Sequence, residues 1–184
     1  MKNKLLNTEN SLLLIIDIQE KLLKVQHGKE KIQKNAVILA KAAKILGIPV
    51  IVSEQYPQGL GATIAEIKEN LSENTKYHEK KSFSCCTNSA FDVLIKATGR
   101  NQIIVCGIEA HVCVHQTVSD LLTSGYEIFL AKDAIGSRKE YECEIGFERM
   151  IFNGAIPACT EMILFELMKC SSHENFKQIQ ELIK

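Results

Sequence analysis

Short apolar runs recur along this chain, and each is separated from the next by a stretch with helical periodicity. The runs at 12–16 and 103–106 are rich in Leu, Ile and Val and too short for a helix, which is typical of strands buried on both faces. Strands that alternate with helices form a parallel sheet covered on both sides. We therefore predict an α/β fold: one three-layer domain over 1–184, with a doubly wound, mostly parallel sheet of about six strands in the order 3-2-1-4-5-6.

The same patterns predict the remaining elements. Further strands are predicted at 48–53, 76–80, 126–131 and 155–159. Helices are predicted at 29–46, 64–71, 89–98, 113–124, 140–152 and 161–169. Thr160 is the predicted cap of the last of these helices. The segment 54–61 contains Pro and Gly and is predicted to be a loop.

Composition limits the classes of function. The 184 residues are 46% apolar and 24% charged, as in ordinary globular domains. The formal net charge is zero and no basic block occurs, so neither nucleic acid nor membrane is an expected partner. The chain has seven cysteines, and this odd number favours reduced thiols over a disulfide framework. Its first residues show no signal-peptide pattern. We expect a cytoplasmic protein.

Cys113 is the candidate nucleophile because it lies where a predicted strand ends and a helix begins. A thiol there lies near the positive end of the helix dipole and near amide N–H groups without intrahelical partners. Both features favour the thiolate, and the amides could hold an oxyanion. The alternative is that Cys113 is a small buried residue that packs the corner. The other six cysteines lack this setting.

Two further charged residues end predicted strands. Asp17 follows the first strand, and in the predicted order this strand neighbours the one before Cys113, at the point where the strand order reverses. An acid and a thiol in one crevice form a base–nucleophile pair. Lys80 ends the third strand, where it could stabilise both groups. That strand lies about 10 Å from the first, so the alternative is an ordinary surface lysine.

With these three residues in this order, the chain resembles the isochorismatase-like cysteine hydrolase superfamily, which includes nicotinamidases and N-carbamoylsarcosine amidohydrolases. The resemblance runs from about Ser11 to the last helix and rests on Leu14–Gln19, Glu79–Ser84 and Gly107–Val114, in this order and spacing. The segments 53–61 and 160–167 look most like the branch of uncharacterised isochorismatase-domain hydrolases.

The resemblance implies a catalytic triad of Asp17, Lys80 and Cys113, with Lys81 as the alternative lysine. It also implies a cis peptide bond between Ile108 and Glu109, which would aim the N–H groups of Glu109 and Cys113 at an oxyanion. Members of the family usually self-associate, so a homo-oligomer is expected.

Two departures from the family narrow the activity. Nicotinamidases carry an Asp-x-His metal motif where this chain has Glu54-Gln55-Tyr56, so no metal and no cofactor are expected. Isochorismatases proper lack the cysteine, so the presence of Cys113 argues against the isochorismatase reaction in this chain. His111 and His115 flank Cys113, but packing or helix-start roles are the preferred interpretation, because side chains two apart on a helix diverge.

The leading hypothesis is therefore a cysteine hydrolase that acts on a small amide, carbamoyl or related carbonyl compound through a thioester. Tyr56, Leu60 and Phe83 are the candidate substrate-binding residues, in the loops around the predicted crevice. The alternative is a small-molecule-binding or scaffold protein that keeps the fold without catalysis. A thiol redox sensor is the third interpretation, and it would need a second cysteine close to Cys113.

Overall fold

The structure is a computed structural model that describes residues 5–184. Its centre is a six-stranded, all-parallel sheet in the order β3-β2-β1-β4-β5-β6. The strands are β1 Ser11–Ile16, β2 Val50–Gln55, β3 Lys76–Lys80, β4 Gln102–Ile108, β5 Glu127–Gly136 and β6 Ile156–Ala158. The predicted fold class and strand order are confirmed. The prediction of one domain over 1–184 stays a prediction, and its first four residues lie outside the described part.

Helices cover both faces of the sheet. They are α1 Glu20–Leu23, α2 Lys29–Ile45, α3 Pro57–Leu60, α4 Ala65–Lys68, α5 Ser89–Thr98, α6 His115–Thr123, α7 Glu140–Phe152, α8 Thr160–Met168 and α9 Phe176–Glu181. One apolar cluster joins the sheet to α2 and α8, and a second joins it to α5, α6 and α7. In the described part of the chain, no helix combines the length and apolar character that crossing a membrane requires.

The two central strands, β1 and β4, are buried along their whole length. Near their carboxyl ends the chains approach so closely that only glycine fits at position 107. A Cβ there would lie 2.4 Å from the carbonyl oxygen of Ile16, and the φ of +148° is one that other residues rarely adopt. Gly107 therefore allows the end of β4 to lie against the end of β1, just before Asp17.

Several predicted boundaries are wrong for identifiable reasons. Segment 54–61 is not only a loop, because β2 continues through Gln55 and Pro57 begins the short helix α3. Thr160 does not cap α8 but is its first residue, and its N–H and hydroxyl both donate to the carboxylate of Asp133. β5 runs beyond 131 to Gly136, where it pairs again with β4 after an irregularity in register.

Candidate active site

Asp17 lies at the end of β1 in a left-handed backbone conformation, with a φ of 54°. Asp tolerates this conformation better than most residues, because its short polar side chain bonds locally. The turn directs the fully buried carboxylate toward β2, where the hydroxyl of Ser53 donates to Oδ1 at 2.7 Å. The backbone N–H of Asp17 also bonds to the carbonyl of Ser53, at 3.1 Å. Both bonds fix the acid at the carboxyl edge of the sheet.

Lys80 reaches this acid from β3. Its Nζ lies 2.6 Å from Oδ2 of Asp17 and donates to the side-chain oxygen of Gln55 at 2.7 Å. Both charged side chains are buried, with exposed fractions of 1% and 0%. Burial lowers the pKa of Lys80, but the charge of the Asp17 carboxylate and its hydrogen bond to the ammonium raise it, and the pKa is raised overall. The lysine therefore stays an ammonium ion.

Ser53 and Gln55, which hold this ion pair, were missed in the sequence. Gln55 is itself fixed by Gln19, since its N–H donates to Oε1 of Gln19 at 2.7 Å and its carbonyl accepts from Nε2 at 3.1 Å. A signal was present: Ser53 and Gln55 lie two residues apart at the carboxyl end of a strand that begins with three apolar residues, so both side chains leave the same face.

Cys113 lies within Ala110–Val114, a π-helical turn between β4 and α6. Its side chain is 6% exposed and lies near enough to the Asp17 carboxylate for the two groups to interact electrostatically. Burial and the charge of Asp17 raise the pKa of Cys113 to about 12, although the Lys80 ammonium opposes them. The expectation that the helix start alone favours the thiolate is therefore wrong: the resting thiol is protonated and lies beside a base.

The predicted cis peptide bond is present and joins Ile108 to Glu109, just before the turn that carries Cys113. The carbonyl of Glu109 accepts the N–H groups of Val112 and Val114, each at 3.1 Å. Glu109 thus directly precedes the turn and Cys113 lies inside it. The use of their N–H groups toward an oxyanion stays a prediction.

Of the three predicted substrate-binding residues, Tyr56 shares a cavity with Lys80. This cavity has a volume of about 330 Å³ and is also lined by Gln58, Lys81 and Asn88. Tyr56 has a φ of 38° and is 48% exposed, and its N–H bonds to the carbonyl of Lys80 at 2.9 Å. Leu60 and Phe83 are not among the residues that line this cavity.

Of the two histidines that flank Cys113, His111 contacts groups other than the thiol. Nδ1 of His111 lies 2.9 Å from the hydroxyl of Ser137, and its ring lies 3.7 Å and 3.6 Å from the carboxylates of Glu109 and Glu142. Burial, together with the nearby Arg149, lowers the pKa of His115. Among the described residues, no group of three or more His, Cys, Asp or Glu side chains could hold a metal ion.

The three predicted catalytic side chains thus converge at one edge of the sheet, although they lie far apart in the sequence. A carboxylate held by an ammonium ion lies near a buried thiol, and its charge raises the pKa of that thiol. Such a set can remove the thiol proton at the moment of attack and return it later, without keeping a free thiolate in the resting state.

Comparison with known proteins shows the family of this chain and proteins that share its fold. The model of the isochorismatase domain matches residues 11–162. Isochorismatase domain-containing protein 2 of Danio rerio is 38% identical over 178 residues, which cover 97% of this chain and 89% of the zebrafish protein. Among solved structures, the MAR1 ribonuclease of Caenorhabditis elegans is 40% identical, with a TM-score of 0.92 over 98% of this chain and 92% of that one. The YcaC gene product of Escherichia coli, described as an octameric hydrolase of unknown specificity, is 22% identical, with a TM-score of 0.89 over 100% and 96% of the two chains.

Proposed function

This chain belongs to the isochorismatase family and has its hydrolase fold, and from that premise we propose that it hydrolyses a small amide, carbamoyl or related carbonyl compound with Cys113 as nucleophile. The observation that carries the proposal is the buried Asp17–Lys80 ion pair, whose two charges both act on the pKa of the buried Cys113 thiol. Burying two charged side chains costs desolvation free energy. The position of this ion pair beside a nucleophile therefore favours a catalytic role over a purely structural one.

In the proposed first half-reaction, the thiol proton moves to Asp17 as the sulfur attacks the substrate carbonyl. The carbonyl electron pair moves to oxygen, and the N–H groups of Glu109 and Cys113 stabilise the oxyanion. When this intermediate collapses, the C–N bond breaks and Asp17 returns its proton to the leaving nitrogen. The products are a thioester on Cys113 and free ammonia or an amine.

In the second half-reaction, water attacks the thioester while Asp17 accepts one of its protons. The C–S bond breaks, the acid product leaves, and the proton returns from Asp17 to the sulfur. Lys80 remains protonated throughout and stabilises the carboxylate whenever it is charged.

We propose that Tyr56 contacts the substrate, because Tyr56 and Lys80 line the same cavity, and we keep Leu60 and Phe83 as candidates in the surrounding loops. We also propose a cytoplasmic site of action, supported by seven free cysteines, and a self-associating protein.

The test is release of ammonia from a panel of small primary amides and carbamoyl compounds. We expect turnover by the wild type, none by Cys113→Ala, and unchanged turnover by Cys170→Ala, which removes an exposed thiol. Rapid acid quenching should trap the acyl group on the Cys113 peptide. Ammonia release that persists in Cys113→Ala would contradict the mechanism. Binding of a panel compound without product from either protein would favour the scaffold alternative.

The C. elegans relative suggests a second assay, since its structure is described as a ribonuclease. For this chain we propose the small-molecule reaction instead, because its formal net charge of zero offers little attraction for the RNA backbone. Incubation with labelled single-stranded RNA should leave the RNA intact. RNA cleavage that disappears in Cys113→Ala would reverse this choice.

A further inference from the structure

A buried polar atom without a partner lies next to the turn that carries Cys113. Gln26, in the loop between α1 and α2, is 5% exposed. Its Nε2 donates to the carbonyl of Leu22 at 3.0 Å and to Oε1 of Glu109 at 2.9 Å, so both of its N–H groups are used. Its Oε1 is buried and accepts no hydrogen bond. The two bonds also fix which side-chain atom is the oxygen, because only the nitrogen can donate to both acceptors.

The surroundings of Gln26 place this orphan acceptor at the carboxyl edge of the sheet. Glu109 follows β4, and Arg138 follows β5 and is held by Glu109, with Nε 3.1 Å from the carboxylate. Gln26 itself lies in the connection that follows β1. Ligands bind at this edge in open parallel sheets, above the strands where the order reverses. Gln26, Glu109 and Arg138 thus come from the connections that follow three neighbouring strands, β1, β4 and β5.

We propose that Gln26, Glu109 and Arg138 form a substrate subsite in which Oε1 of Gln26 accepts a hydrogen bond from an N–H group of the substrate. The inference rests on the proposed function and makes it more specific: the substrate is an unsubstituted amide or a carbamoyl compound, rather than an ester. A buried acceptor without a partner destabilises the free protein, and a ligand N–H removes that cost. A ligand without the N–H leaves the acceptor unsatisfied, which is how such sites discriminate.

The charged neighbours keep the acceptor in place. Arg138 neutralises the Glu109 carboxylate, and Glu109 in turn holds the amide nitrogen of Gln26, so the oxygen of that amide cannot rotate away without breaking two bonds. The Arg138 side chain is 57% exposed, so this group of residues extends from the buried amide of Gln26 to the protein surface. Glu109 and Arg138 are therefore positioning residues, and Gln26 makes the contact.

The experiment measures how fast three small electrophiles alkylate Cys113: acrylamide, N,N-dimethylacrylamide and methyl acrylate. Only the first carries an N–H group. Peptide mass spectrometry gives the rate at Cys113, and division by the rate with glutathione removes intrinsic reactivity. In the wild type we expect acrylamide to exceed the other two by about tenfold, the effect of one hydrogen bond to a buried acceptor. In Gln26→Met, which keeps the shape but has no acceptor, the ratio of the acrylamide rate to the methyl acrylate rate should fall to about one.

Gln178→Met, an exposed glutamine on α9, is the matched control and should keep the preference. Equal corrected rates for all three probes in the wild type would overturn the inference, as would no alkylation of Cys113 by any of them or a preference that survives in Gln26→Met. Equal rates would mean that a water molecule alone satisfies Gln26. If Gln26→Met fails to fold, the corrected rates of the three probes in the wild type still test the inference. Alkylation needs no turnover, so failure of the hydrolase proposal in the ammonia assay is distinguishable from failure of this one.

Discussion

The ammonium of Lys80 lies 2.6 Å from a carboxylate oxygen of Asp17, although the whole of β2 separates the strands that carry them. Two local features close this gap. Asp17 turns out of β1 through its left-handed conformation, and the long side chain of Lys80 extends past Gln55, to which it also donates. The pair therefore depends on the parallel register of the three strands, and it links the stability of this edge to the chemistry proposed for it.

Replacing Lys80 by Met should destabilise the protein by about 3–5 kcal/mol, because it leaves the Asp17 carboxylate buried without its counter-ion. Urea unfolding measures the change. Lys81→Met is the matched control, since Lys81 is exposed, and should change the free energy of unfolding by less than about 0.5 kcal/mol. The double variant Asp17→Asn/Lys80→Met should lose less than the sum of the single variants, because it buries no unpaired charge. Additive losses would mean that the two residues are not coupled.

A second prediction concerns the close approach of β4 to β1. In Gly107→Ala the new Cβ would lie 2.4 Å from the carbonyl oxygen of Ile16, and a backbone atom cannot easily move away. We expect a loss of about 2–4 kcal/mol, from overpacking and from the positive φ together. Gly99→Ala shares a positive φ but has nothing within 4 Å of its Cβ, so it should lose only about 1 kcal/mol. Equal losses in thermal unfolding would show that β4 can shift.

The sequence predicts the parts of this site that depend on topology. Asp17 and Cys113 follow neighbouring central strands, and the rule that ligands bind where the strand order reverses predicts that they lie close together. The same rule could not predict whether the side chain of Lys80 reaches Asp17. Strand spacing alone leaves it about 10 Å away, and neither the turn at Asp17 nor the path of the lysine side chain has a periodic signal.

The protonation state of Cys113 illustrates a different limit. The sequence shows the local setting, a thiol at a helix start, and that setting favours the thiolate. The opposing effects come from residues brought in by tertiary packing: burial of the thiol and the carboxylate of Asp17, almost a hundred positions away in the chain. Gln26 was missed for the same reason, since its unused oxygen becomes visible only when β4 brings Glu109 to it.

Because Asp17 raises the pKa of Cys113, removing its charge should lower that pKa. We expect the pH profile of Cys113 alkylation by iodoacetamide to shift to lower pH in Asp17→Asn, so that labelling at pH 8 is faster than in the wild type, while turnover falls. Lys80→Met should shift the profile the other way, because the ammonium opposes the rise in pKa. Peptide mass spectrometry resolves Cys113 from the other thiols. A profile that moves to higher pH in Asp17→Asn would contradict the assigned electrostatics.

The last prediction concerns a buried histidine on β3. His78 is 4% exposed, its ring packs against Phe91 with centroids 5.1 Å apart, and its Nε2 has no hydrogen-bond partner. Burial and the nearby Lys80 ammonium lower its pKa from 6.5, although Asp17 and the carbonyl of Cys85 oppose them. The folded protein therefore keeps His78 neutral at pH values where the unfolded chain already binds a proton.

It follows that the contribution of His78 to stability is present above about pH 6.5, the pKa of histidine in the unfolded chain, and is lost as the pH falls below it. His78→Phe keeps an aromatic ring beside Phe91 but cannot bind a proton. Between pH 7.5 and pH 5.5 its free energy of unfolding should fall less than that of the wild type, as measured by urea unfolding at several pH values. His27→Gln, at an exposed position, controls for the removal of a histidine as such. If His78→Phe and the wild type lose stability in parallel on acidification, then water must reach the imidazole, and the edge of the sheet beside Lys80 is more open than its burial indicates.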